Sequence, residues 1–511
     1  MKSKKNILLV CLLITGLSGS ILSGQSVNKL MNEQFRPQVH FSPEANWMND
    51  PNGMVYYKGT YHLFFQYHPY SSIWGPMHWG HATSKDLIHW KQEPVAIYPD
   101  SLGTIFSGSA VVDINNTSGF GKKGKVAMIA IFTQHNSLGE KAGRNDFQNQ
   151  SIAYSLDEGK SWTKYAGNPV LKNPGITDFR DPKVMWFEEG KKWIMTLATK
   201  DHITFYSSKN LKHWTKESEF GHSIGAHGGV WECPDLFSLN YQGKKIWVLL
   251  ISINPGGPNG GSATQYFTGN FNGKMFMPFK TDTRWLDYGT DNYAGITWSN
   301  TGSRKIFIGW MNNWQYANVV PTTQWRGATT IPRDLAIQKT GDSYYVSSVP
   351  VKELKGIQNK TKLFENIKAG NYNLTEKAGA LNSAARIDLY TDKLESFTIT
   401  LSNDLGEQLI AGYDKVANQF FIDRTKSGKT DFEKRFAGRY TAPRLSGRAY
   451  SKITLIIDHA SVELFADDGL SVMTGIFFPN KPFNQINIQS LDNLLIRKLV
   501  YTGLKSIWNH K

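Results

Sequence analysis

Three acidic residues stand in settings that would fix a carboxylate rather than leave it solvated. Asp50 lies in Trp47-Met48-Asn49-Asp50-Pro51-Asn52-Gly53, Asp181 in Phe179-Arg180-Asp181-Pro182, and Glu232 in Trp231-Glu232-Cys233-Pro234-Asp235. A proline directly after Asp50 and Asp181 removes a backbone donor and biases each acid towards extended backbone. Asn52-Gly53 predicts a turn just behind Asp50, and Arg180 puts a guanidinium beside Asp181. Two carboxyl groups facing each other across a sugar suit glycosidic hydrolysis: one attacks the anomeric carbon, and the other protonates the leaving oxygen. The neighbours favour Asp50 as the anion, because Asn49 and Asn52 are polar. They favour Glu232 as the proton carrier, because Trp231 and Cys233-Pro234 form an apolar setting. Each segment alone also reads as an ordinary turn, ion pair or loop acid. Acting together, they need a fold that brings three distant segments to one point.

The elements that must do this are strands. Met54 to Gln66 reads as two β runs about Lys58-Gly59, and Val126–Gln134, Lys183–Thr199, Lys245–Asn254 and Arg304–Met311 continue the pattern. No long amphipathic helices alternate with them, which disfavours a parallel βαβ fold. Ser84-Lys85-Asp86-Leu87-Ile88-His89-Trp90 recurs as Ser208-Lys209-Asn210-Leu211-Lys212-His213-Trp214, with a looser copy from Ser155 to Trp162. Such copies point to propeller blades, each carrying a turn capped by Ser and Asp side chains and a Trp packed between blades. The fold class expected is all-β: a five-bladed β-propeller over residues 36–347, whose inner strands converge on the axis, followed by a C-terminal β-sandwich. Residues 25–35 read as an N-terminal linker. Residues 348–362, with the polar run Val351–Gly356, read as a connector. The sandwich is expected over 363–511, with alternating strands Phe397–Leu401, Lys452–Asp458 and Ser461–Phe465 and a turn at Asp467-Asp468-Gly469.

Composition narrows the function classes. The chain has 511 residues, 13% of them aromatic and only 19% charged, which excludes a disordered chain or a coiled coil. The formal charge is +15, but the basic residues are scattered and no nucleic-acid motif accompanies them, so no nucleic-acid partner is expected. Lys2, Lys4 and Lys5, the apolar run Ile7–Thr15 and small residues to Gly24 have the layout of a secretory signal peptide over 1–24. Export is therefore expected, to the periplasm, cell surface or medium. The apolar run is too short for a membrane span, and Cys11 lies within it, which argues against a lipoprotein. Its loss would leave Cys233 as the sole cysteine of the mature chain. His62, His78, His81 and His89 lack the spacing and partners of a zinc site, so no metal is expected.

The three acidic segments resemble the signatures of glycoside hydrolase family 32, the invertases, inulinases and levanases. The likeness extends to Phe64–Pro69, Trp74–His81, Phe106-Ser107-Gly108, Asp287-Tyr288-Gly289, Tyr293-Ala294, Gly309-Trp310 and Val462–Phe465, and so runs through the chain after residue 36. It implies a retaining hydrolase of levan, inulin or sucrose that needs no cofactor. Asp50 would be the nucleophile, Glu232 the general acid/base, and Asp181, with Arg180, the transition-state stabiliser. Asn49, Gln66, Trp74, Phe106, Ser107, Tyr293 and Trp310 fall where the family binds the terminal fructose. Trp314, in the polar run Asn312–Tyr316, is expected at the substrate rim. The segment from Trp310 to Arg326 most resembles the exo-acting branch. The expected partner is a fructan polysaccharide or oligosaccharide.

Overall fold

The computed structural model describes residues 31–381, 384–492 and 494–508; the expected signal peptide, at 1–24, and most of the 25–35 segment lie outside them. Five sheets of four or five strands follow one another from Asn46 to Pro350. Their innermost strands are Asn46–Tyr57, Thr104–Asp113, Phe179–Phe187, Val230–Tyr241 and Tyr293–Thr297. Each packs against the next, and the fifth returns to the first, which makes a five-bladed propeller. The ring is closed by backbone bonds of Ser299 to Met54 and Tyr56 and by a two-residue parallel pairing of Trp325-Arg326 with Asn46-Trp47.

The sequence repeat proves to be the turn from the third to the fourth strand of the first three blades. Ser84, Ser155 and Ser208 each end a third strand. Asp86 Oδ1 takes the N–H groups of Ile88 and His89 at 3.0 and 2.8 Å, and Asn210 Oδ1 takes those of Lys212 and His213, both at 3.1 Å. In the looser copy Asp157 Oδ1 takes the N–H of Ser161 at 3.0 Å. The same position is left-handed in all three copies: Leu87, Glu158 and Leu211 have φ of 68°, 62° and 64°. A non-glycine residue holds that conformation only where surrounding bonds over-determine it, and these side-chain acceptors do so. The tryptophans then pack across blade boundaries. Trp90 stacks on Trp298 of the fifth blade at 6.1 Å, and Trp162 meets Phe64 of the first edge-on at 5.5 Å.

Two six-stranded sheets follow, built from strands between Gln358 and Leu504, and their facing sides form one apolar core. Ser461–Ala466 does not alternate as expected; every residue in it is buried, as is every residue of its partner strand Ser471–Ile476. Their second face lies against the propeller, where the carboxylate of Glu463 meets Arg333 and His40. Asp287-Tyr288-Gly289 docks here too: Asp287 binds Arg333 at 2.9 Å, and the Tyr288 N–H reaches the Val472 carbonyl at 2.8 Å. Only glycine fits at 289, since a Cβ there would lie 2.0 Å from the Thr474 carbonyl oxygen. The polar connector is a short 3-10 turn, Lys352–Ile357, that buries Val351, Leu354 and Ile357 in an apolar cluster shared by the propeller and the sandwich, and the first sandwich strand begins at Gln358. Likewise Met31 and Phe35 are buried, so the described end of the expected linker is packed structure.

Candidate active site

All five inner strands carry the same irregularity at the same height. In each, two residues face a single residue of the second strand: Asn49-Asp50 opposite Gln66, Phe106-Ser107 opposite Thr133, Asp181-Pro182 opposite Leu197, Cys233-Pro234 opposite Ile251, and Ala294-Gly295 opposite Gly309. A bulge re-aims the side chains around it and ends regular pairing. Asp181, Cys233 and Ala294 are left-handed there, with φ of 64°, 45° and 52°. Such backbone strain collects where a site over-determines it. The turn expected at Asn52-Gly53 is instead a second bulge within the continuous strand Asn46–Tyr57. Gly53 has φ of 57°, and a Cβ there would sit 2.6 Å from the Trp79 ring.

The first four inner strands, at their bulges, border a cavity of about 360 Å³ whose lining includes Asp50, Asp181 and Glu232. Asp50 accepts from Ser107 Oγ at 2.7 Å and from Asn49 Nδ2 at 2.9 Å. The Asn52 amide bonds the Asp50 carbonyl rather than its carboxylate. Burial, and then the charge of Glu232, push the Asp50 carboxyl above its usual range against these two bonds. Asp181 is raised too, to about 7, by burial first; Arg180 opposes this, while Glu232 and Asp50 add to it. Its carboxylate takes the Cys233 N–H at 3.0 Å. The Cys233 thiol stands 3.5 Å from Asp50 Oδ2 and 3.6 Å from Asp181 Oδ2, and burial pushes it well up, so it is a neutral donor between the two acids.

Glu232 differs from its sequence reading. Arg180 donates to its Oε1 from Nε at 3.2 Å and from Nη2 at 3.0 Å, and the Tyr293 hydroxyl donates to Oε2. Of its apolar chain neighbours, Trp231 points away, packed in the core of the third and fourth blades, while the Cys233 thiol turns to Asp50 and Asp181. Alternation along a strand sends adjacent side chains to opposite faces, so sequence neighbours are a poor guide to a strand residue's surroundings.

Asn49, Gln66, Trp74, Phe106, Ser107, Arg180 and Trp314 line the cavity with the three acids. Gln66 Nε2 is buried with no hydrogen-bond partner and is free to donate to a hydroxyl. Trp74, 43% exposed, meets Phe106 edge-on at 6.4 Å and forms an apolar wall. Tyr293, expected at the substrate, is not part of the lining; it stands behind Glu232, bonded to its carboxylate. Trp310, expected at the substrate, does not line the cavity either: it is fully buried between Trp47 and Trp314, at 6.0 and 4.9 Å, and backs the rim. Sequence reasoning did not single out His135, Glu140, Gln148, Asp178 or Asn318, which also line it. Asp178 holds Arg180 Nη1 at 2.5 Å, and its place two residues ahead of Arg180 was the available signal. His135 stacks on Phe106 at 4.4 Å, a contact set by the pairing of two strands of the second blade that lie far apart in sequence.

Comparison with known proteins agrees with this geometry. Residues 40–348 match the glycosyl hydrolases family 32 N-terminal domain, and residues 351–496 match the family's C-terminal domain. The chain is 45% identical over 520 residues to a levanase of Bacillus subtilis, covering 99% of this chain and 76% of the relative. It is 41% identical to an extracellular exo-inulinase of Aspergillus niger, covering 88% and 90% of the two chains. The solved exo-inulinase of Aspergillus awamori superimposes with a TM-score of 0.85 at 37% identity, over 94% of this chain and all of that one. With both domain models matched in order and three carboxyl groups gathered at the propeller axis, the chain belongs to glycosyl hydrolase family 32.

Proposed function

We propose that this protein is an exported, exo-acting fructan β-fructosidase that retains anomeric configuration. The observation that carries the reading is the ring of five matched bulges, which delivers Asp50, Asp181 and Glu232 into one cavity from three blades. Asp50 is the nucleophile: its carboxylate attacks the anomeric carbon and forms a fructosyl ester. Glu232 gives its proton to the glycosidic oxygen as that bond breaks, and the shortened chain leaves. Having given up its proton, Glu232 serves as the base of the second step. It then takes a proton from water, the water attacks the anomeric carbon, and Asp50 is released. Asp181 and Arg180 hold the fructosyl hydroxyls, and Asn49, Gln66 and Ser107 complete the polar set. Trp74, Phe106 and Trp314 supply the apolar faces.

Similarity to the exo-inulinases of Aspergillus niger and Aspergillus awamori supports release of fructose from a chain end. The basic and apolar segments of residues 1–24 support export. Product analysis on levan, inulin and sucrose, with NMR of the anomer released first, tests this reading. Fructose alone, released with retained configuration, is expected. A ladder of oligosaccharides would overturn exo action, and inversion would overturn the double displacement.

A further inference from the structure

On the third blade, outside the catalytic cavity, two imidazoles and a carboxylate converge. Nε2 of His222 lies 3.0 Å from Glu219 Oε2, and Nε2 of His202 lies 3.6 Å from Glu219 Oε1. One donor atom from each of the three lies within 4.8 Å of the others. The two rings stack at 4.1 Å, so both nitrogens reach one volume. Imidazole nitrogen suits zinc, copper and nickel rather than calcium or magnesium. A tetrahedral zinc with bonds of about 2.0–2.1 Å separates its donor atoms by about 3.3 Å, between the two distances found here. His202 Nδ1 adds an independent sign. It is buried, makes no hydrogen bond, and faces Asp201 Oδ1 at 3.6 Å. A carboxylate that accepts from the rear nitrogen of a histidine fixes the proton there and leaves the front lone pair for a metal, and Asp201 stands just beyond that distance.

We propose that His202, Glu219 and His222 form a binding site for a divalent transition metal of the zinc class, structural rather than catalytic. Glu219 and His202 belong to the paired strands Thr215–Phe220 and His202–Ser208. His222 lies on the segment 221–229, which leads into the strand that carries Glu232. Gly221, Gly225 and Gly228 give that segment left-handed backbone at three points, with φ of 111°, 100° and 94°. His227, on the same segment, stacks on Trp231 at 5.3 Å and faces Asp201 Oδ2 at 3.8 Å. A metal at His222 ties the start of this segment to two strands and restricts it up to Glu232. Lys216, 56% exposed, holds Glu219 Oε1 at 2.7 Å and competes for the carboxylate.

Calorimetric titration of the full-length mature protein with zinc chloride is the test. One ion per chain at micromolar affinity is expected. His222→Ala should weaken it by at least about tenfold, and Lys216→Ala should tighten it, with fructan hydrolysis in metal-free buffer unchanged in both. Hydrogen exchange across 221–231 should slow with zinc in the wild type and not in His222→Ala. Equal zinc affinity of wild type and His222→Ala, or no heat and no protection at millimolar zinc, would overturn the site.

Discussion

The Ser107 hydroxyl, on the inner strand of the second blade, donates to Oδ2 of Asp50, on that of the first, at 2.7 Å. The other carboxylate oxygen takes the Asn49 amide at 2.9 Å. Asp50 is thus gripped from two blades by bonds that favour its anion, against burial and the charge of Glu232, which favour the acid. The proposed double displacement needs that anion, so on that reading the balance at Asp50 sets how far into acid the enzyme works.

Ser107→Ala removes a bond that lowers the Asp50 pKa. The acid limb of kcat/KM against pH should therefore move to higher pH. At the optimum kcat/KM should fall by roughly 10- to 100-fold, the worth of one hydrogen bond to a charged group. An unmoved acid limb would show that Ser107 does not tune the nucleophile.

Asp50→Asn should trade activity for stability. Turnover should drop by at least about 10⁴-fold. Because the folded-state pKa of Asp50 is raised, its charge opposes folding above that pKa, and the neutral amide should lift Tm by about 1–3 °C. Differential scanning calorimetry at neutral pH checks this; a fall in Tm would mean that the two hydrogen bonds outweigh the burial of the charge.

His40 links the two domains and should give stability an alkaline limit. It lies buried between Asp458, at 2.7 Å, and Glu463, at 2.8 Å. Burial alone would lower its pKa, but the bonds and charges of those two acids raise it from 6.5 to about 9. A group raised on folding stabilises fully below its unfolded value and loses that contribution as pH rises through the folded one. Asp458 and Glu463 are depressed by His40 and Arg333 in spite of burial, so their contribution is lost as pH falls instead. Tm should therefore be greatest at mildly acidic pH and decline towards pH 9, with on the order of 3 kcal/mol at stake at His40. In His40→Ala that alkaline decline should be absent.

Trp74→Ala tests the apolar wall. The ring packs against Phe106 and is 43% exposed, so its loss should raise KM by about tenfold with kcat within about twofold, the pattern of lost uniform binding. Initial rates on an inulin oligosaccharide series separate the two constants.

Much of this molecule was legible in its residues. The strands and the Lys58-Gly59 turn follow from local pattern, since side-chain alternation and turn chemistry act over a few residues. The Ser-x-Asp turn was readable because its hydrogen bonds run within one short segment. The Asp-Pro steps pointed to Asp50 and Asp181 for the same reason. The buried connector was misread because Val351, Leu354 and Ile357 show a face only once the apolar cluster shared by propeller and sandwich receives them.

By itself, then, the sequence determined the all-β architecture, the three acids and the family, because each rests on residues adjacent in the chain. Tertiary structure alone decided what those acids experience. The five matched bulges arise from cross-strand register, which no single strand encodes. Glu232 meets Arg180 and Tyr293 from two other blades, Asp50 meets Ser107 from a third, and Trp310 ends behind the wall instead of on it. Proton affinity and contact depend on distances through space, and in a propeller those are set by the closure of the ring.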